Sequence, residues 1–70
     1  MTNTEKLEAL ITASGLKKGY IAQALGVVPA TLSRKIHNAM SFKANEIQTL
    51  CRLLGITKAE DVMAIFFDGE

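Results

Sequence analysis

LKKGYIAQALGVVPATLSRKI, residues 16–36, is the stretch whose reading decides the fold. Ile21, Ala22 and Leu25 fall at helical spacing between Lys18 and Leu25, and Gly26 stops that helix. Pro29 then opens another helix after a connection of only a few residues, because a proline fits a first turn where its missing N–H has no partner anyway. This second helix, running to about His37, repeats only Leu32 and Ile36 at helical spacing. Two short helices joined this tightly are the helix-turn-helix arrangement, expected over about residues 17–37, in which the second helix lies in the DNA major groove.

The flanking sequence supplies more helices of the same kind. Thr2 and Glu5 have the form of a capping box, Leu7, Leu10 and Ile11 share a face, and Gly15 ends that first helix with Leu16 packing back on it. After a loop in which Phe42 is the residue to bury, Ile47, Leu50, Cys51 and Leu54 mark a helix from Asn45 to Leu54, stopped by Gly55. Thr57 and Glu60 repeat the capping-box form ahead of VMAIFF, where Val62 with Phe66 suits a helix while Met63, Ile65 and Phe67 alternate as in a strand. One or two helical turns and an extended tail are expected there. The whole is an all-α fold, a compact bundle of four to five short helices in a single domain over residues 1–70, without repeats or linkers.

Charge is distributed unevenly behind a net of +1. No acid lies between Glu8 and Glu46, a window that holds Lys17, Lys18, Arg34, Lys35 and Lys43, whereas the segment from Glu46 onward carries five acids against Arg52 and Lys58. A basic centre between acidic ends suits one surface that faces a polyanion. On the helix that starts at Pro29, steps of about 100° per residue turn Leu32 and Ile36 inward. Ala30, Arg34 and His37 then face outward with Thr31 and Ser33 at the sides, and Thr31 and Lys35 join the candidates for phosphate contact. Small residues let a helix approach base edges, arginine can give guanine two hydrogen bonds, and serine or threonine pairs with several bases.

LKKGYIAQALGVVPATLSRKI followed by SFKANEIQTLCRLLGI resembles the phage repressor and Cro type of helix-turn-helix domain. The matching features are Ala22, Gly26 and Val27 at the turn, Thr31 to Lys35, Phe42, and the ending Leu53-Leu54-Gly55-Ile56, so the likeness spans about Leu7 to Ile56. It implies a lambda-repressor-like DNA-binding bundle and sequence-specific binding of double-stranded DNA as a transcriptional regulator, repressor or Cro-like. By position it implies base reading from Pro29, Ala30, Ser33 and Arg34. It implies phosphate contacts from Lys17 and Lys18, and from His37, Asn38 or Lys43. Lys18 combines its charge with a helix N-terminus, and both attract phosphate.

The sequence departs from that family at three helix starts. Lys17, Val28 and Lys43 stand where family members place serine or threonine, and none of the three can accept a hydrogen bond from the free N–H groups, a cost of about 1 kcal/mol per helix end. Lys17 and Lys43 return a positive charge for that loss. Val28 is expected to be explained by packing.

A single domain offers too little contact area for tight specific binding, so a homodimer on a palindromic operator is expected, with half-sites about 34 Å apart. Residues 57–70 form the candidate dimerisation tail, with Ile65, Phe66 and Phe67 as its surface, although the two phenylalanines could equally complete the core. On the dimer reading, truncation after Asp61 leaves a folded monomer.

Other function classes find little support. One histidine and one cysteine in different helices, with no carboxylate between Glu8 and Glu46, provide neither a nucleophile with its base nor a set of metal ligands. Cys51 is a small core residue without a partner for an internal disulfide. No enzyme, cofactor, metal or small-molecule ligand is expected, and with no leader pattern or long apolar run a cytoplasmic location away from membranes follows. The competing reading is a helical protein-interaction module, antitoxin- or adapter-like, that buries the same exposed helix against another protein.

Overall fold

A computed structural model describes residues 1–69 as five α-helices and, among those residues, no strand: α1 Thr4–Ser14, α2 Lys18–Leu25, α3 Pro29–Ile36, α4 Ala44–Leu54 and α5 Ala59–Phe66. Helix α2 packs on α3 and α4, while α1 crosses behind them to touch α3, α4 and α5. Each helix contributes an apolar stripe to one core: Leu7 and Ile11 from α1, Ile21 and Ala22 from α2, Leu32 and Ile36 from α3, Leu50 from α4, Ile65 and Phe66 from α5. No helix among the described residues is long and apolar enough to cross a membrane.

Both capping boxes expected from the sequence are replaced. Asn3, not Thr2, caps α1, with its side-chain oxygen accepting the Lys6 N–H at 3.0 Å. Thr2 is buried and committed elsewhere, since its N–H donates to Asn38 Oδ1 at 2.8 Å and its carbonyl accepts from Asn38 Nδ2 at 2.9 Å. Helix α5 begins after Lys58 with no side-chain cap, so Thr57 lies outside it, and Glu60 and Asp61 instead complement the helix dipole in its first turn.

The last segment is helical through Phe66. Ile65 and Phe66 are buried, Val62 is half-buried, and Met63 and Phe67 face outward, a spacing of three and four that a strand cannot produce. The assignment of Ile65 and Phe66 to a dimer surface is therefore corrected. Phe66 is 4% exposed and meets Phe42 edge to face with ring centroids 5.7 Å apart, and the Ile65 carbonyl accepts the Asn3 N–H at 2.7 Å. Of the three aromatic and aliphatic residues expected at a dimer contact, Phe67 alone keeps exposed surface, and Glu70, the end of that tail, lies outside the described residues.

The N-terminal segment closes the bundle like a strap. Besides the Thr2–Asn38 and Asn3–Ile65 bonds, Thr4 Oγ1 donates to the Ile36 carbonyl at 2.7 Å, so residues 2–4 tie the end of α3 to the end of α5. Helix α3 stops by a double bond pattern in which Asn38 donates to Lys35 and Ala39 to Arg34. This requires the left-handed φ of +68° that Asn38 adopts, and asparagine tolerates that region better than other residues with a side chain.

Candidate nucleic-acid interface

Helix α3 allocates its residues sharply. Leu32 and Ile36 are fully buried, whereas Pro29, Ala30, Ser33, Arg34 and His37 are exposed and Thr31 is half-buried. The four residues expected to read bases thus lie on the solvent side of a helix that is held by two aliphatic side chains. The connection from α2 is residues 26–28, with Gly26 in the left-handed conformation at φ +75° and Val27 half-buried against the core, which keeps α3 pressed on α2.

Lys35 is not part of that face. Its side chain is 3% exposed, and its ammonium lies 2.6 Å from Glu46 Oε1 at the start of α4, so the expectation that it contacts phosphate is corrected. The same Glu46 oxygen accepts the Lys43 backbone N–H at 2.8 Å, so one carboxylate joins the last turn of α3 to the N-cap of α4. Burial pushes the Glu46 carboxyl up, but the hydrogen bonds from Lys35 and Lys43 and the charges of both lysines outweigh it and hold its pKa below the ordinary value. The signal for this pair was present in the sequence: at about 100° per residue Lys35 stands only about 60° from Leu32, at the margin of the inward face. Glu46, three residues after Lys43, occupies the position from which an acid reaches back to an N-cap N–H.

Asn38 also has a structural task. Both ends of its amide are taken by the Thr2 backbone, so its side chain anchors the N-terminal strap rather than waiting for phosphate. His37 is exposed and its Nδ1 donates to the Ser33 carbonyl at 2.9 Å.

Among the remaining cations, Lys18 is shared: its ammonium lies 2.9 Å from Glu8 Oε1 and 3.0 Å from Oε2 on the surface. Lys17, Arg34 and Lys43 are exposed and have no ion pair among the described residues. Lys17, Val28 and Lys43 are the N-caps of α2, α3 and α4, and none of their side chains makes a capping bond. Two helix ends therefore carry an exposed lysine in place of a side-chain cap. Val28, by contrast, is 62% exposed, which corrects the expectation that packing explains it.

Cys51 is half-buried, and burial pushes its thiol pKa up, away from the reactive thiolate. Comparison with known proteins finds no matching family model, no matching curated protein and no matching solved structure.

Proposed function

We propose that this chain binds double-stranded DNA sequence-specifically as a small transcriptional regulator of the phage repressor or Cro type, with α2 and α3 acting as a helix-turn-helix. One observation carries the reading: α3, anchored in the bundle by Leu32, Lys35 and Ile36, holds Pro29, Ala30, Ser33 and Arg34 together out to solvent. Small side chains with one arginine at their centre match what a major groove admits and displays.

Lys17, Lys43 and His37 border that face as phosphate contacts, joined by Lys18 once it exchanges Glu8 for a phosphate. The protein works without enzymatic activity or cofactor, in the compartment that holds the DNA. The molecule measures 27 × 24 × 21 Å, less than the roughly 34 Å between half-sites on one side of a duplex, a size that suits one copy per half-site of the proposed homodimer.

Selection of bound sites from random duplexes tests this directly, together with retention on immobilised DNA along a salt gradient. A palindromic consensus and an affinity that falls steeply with salt are expected. Retention independent of salt, or no duplex selected, would replace DNA by a protein partner for the same helix.

A further inference from the structure

Val28 is the N-cap of α3, with extended backbone angles of φ −79° and ψ 155°. Its carbonyl accepts from the Thr31 and Leu32 N–H groups, but its side chain makes no capping bond and is 62% exposed. The preceding residue, Val27, fills the position against the core, so Val28 is not needed there. A serine or threonine at this position would supply the cap, and a β-branched aliphatic side chain in water returns nothing to the fold.

Its neighbours extend the feature. Pro29 and Ala30 are also exposed, and the three residues in succession offer no side-chain donor or acceptor. Polar side chains return with Thr31, half-buried at the side of the helix, and on the exposed face with Ser33 and Arg34, one turn further along. The leading edge of the outward face is thus aliphatic and its centre is polar and basic, with no acid anywhere between Glu8 and Glu46 to oppose a polyanion.

Base edges in the major groove display donors and acceptors, and one apolar group, the 5-methyl of thymine. We propose that Val28 reads that methyl, making a thymine in each half-site a specificity determinant that no hydrogen bond reports. The inference rests on the reading of α3 as the DNA-contacting helix and adds to it a residue outside the base-reading set of Pro29, Ala30, Ser33 and Arg34. A contact of this kind discriminates thymine from uracil and from cytosine by the presence of one methyl group, while a 5-methylcytosine presents the same group to the same side chain.

The test uses the selected operator with each thymine replaced in turn by deoxyuridine, titrated against the wild-type protein and the Val28→Ser and Val28→Ala variants. At one thymine per half-site, loss of the methyl should weaken the wild type about fourfold, the value of one buried methyl-sized group, and leave both variants unchanged. At that position a cytosine should bind worse than 5-methylcytosine for the wild type alone. Melting of the variants controls for folding, since Val28→Ser provides the missing cap and should melt no lower than the wild type. Equal losses in wild type and variants, or no sensitivity to uracil at any position of a duplex that still binds, would overturn the assignment of Val28 and leave the DNA reading intact. A protein that binds no duplex at all would overturn both.

Discussion

Lys35 and Glu46 face each other inside the molecule, Nζ 2.6 Å from Oε1, with only 3% and 5% of their surfaces exposed. They join α3 to α4 by a charge pair where an apolar contact would have served. Removing one partner leaves the other charge buried, so Glu46→Gln or Lys35→Met should cost about 3–5 kcal/mol in urea unfolding. The double variant Lys35→Met/Glu46→Leu should recover much of that. A loss in the double equal to the sum of the two single losses would show that the pair does not act as one unit.

The same pair sets a pH dependence. The Glu46 carboxyl loses its proton more readily in the folded chain than in the unfolded one, where the ordinary value is 4.5. Its stabilising contribution is therefore complete above that value and disappears as pH falls through the lower folded value. Stability measured from pH 7 to pH 3 should decline in the wild type, and Glu46→Gln should flatten part of the decline.

Arg34 and Lys18 should separate base reading from phosphate attraction. Arg34→Ala is expected to cost roughly 1–3 kcal/mol at one or two base positions and little elsewhere. Lys18→Ala should weaken all duplexes alike and reduce the salt slope by about 1. Competition titrations against single-base operator variants distinguish them, and a uniform loss from Arg34→Ala would confine it to phosphate.

Glu8 holds the Lys18 ammonium that a phosphate would use. Glu8→Gln should tighten duplex binding about two- to fivefold at low salt, the value of an exposed ion pair, with the gain fading as salt rises. Thermal melting should barely change.

Lys17 caps α2 without a capping bond. Lys17→Ser should add about 1 kcal/mol of stability and raise Tm by about 4–8 °C while weakening DNA binding. A variant that loses both would contradict an exchange of stability for phosphate attraction.

Phe66 and Phe67 should behave differently despite being adjacent. Phe66→Ala removes a buried ring and should cost about 3–5 kcal/mol, a large part of the stability of so small a domain. Phe67→Ala, at a site 36% exposed, should cost far less in the same denaturation experiment. Truncation after Asp61 deletes Ile65 and Phe66 from the core and should unfold the chain, in place of the folded monomer that a dimerisation tail implies.

Periodicity together with glycine and proline stops determined the first four helices of this protein, their order and most of the core, because Leu7, Ile11, Ile21, Leu32, Ile36 and Leu50 repeat at the spacing of a helix, while the last segment stayed open between helix and strand. It also placed Ala30, Ser33 and Arg34 outward on α3. Tertiary structure decided what no single helix contains: whether the apolar end of α5 meets this core or another molecule, and which lysines keep their charge in solvent. Lys35 and Glu46 are 11 residues apart and belong to different helices, so their burial depends on where α4 starts relative to the end of α3. Thr2 and Asn38, 36 residues apart, lost their expected roles for the same reason. A capping pattern or a basic residue states what a side chain can bond, and the packing of the helices decides which partner is within reach.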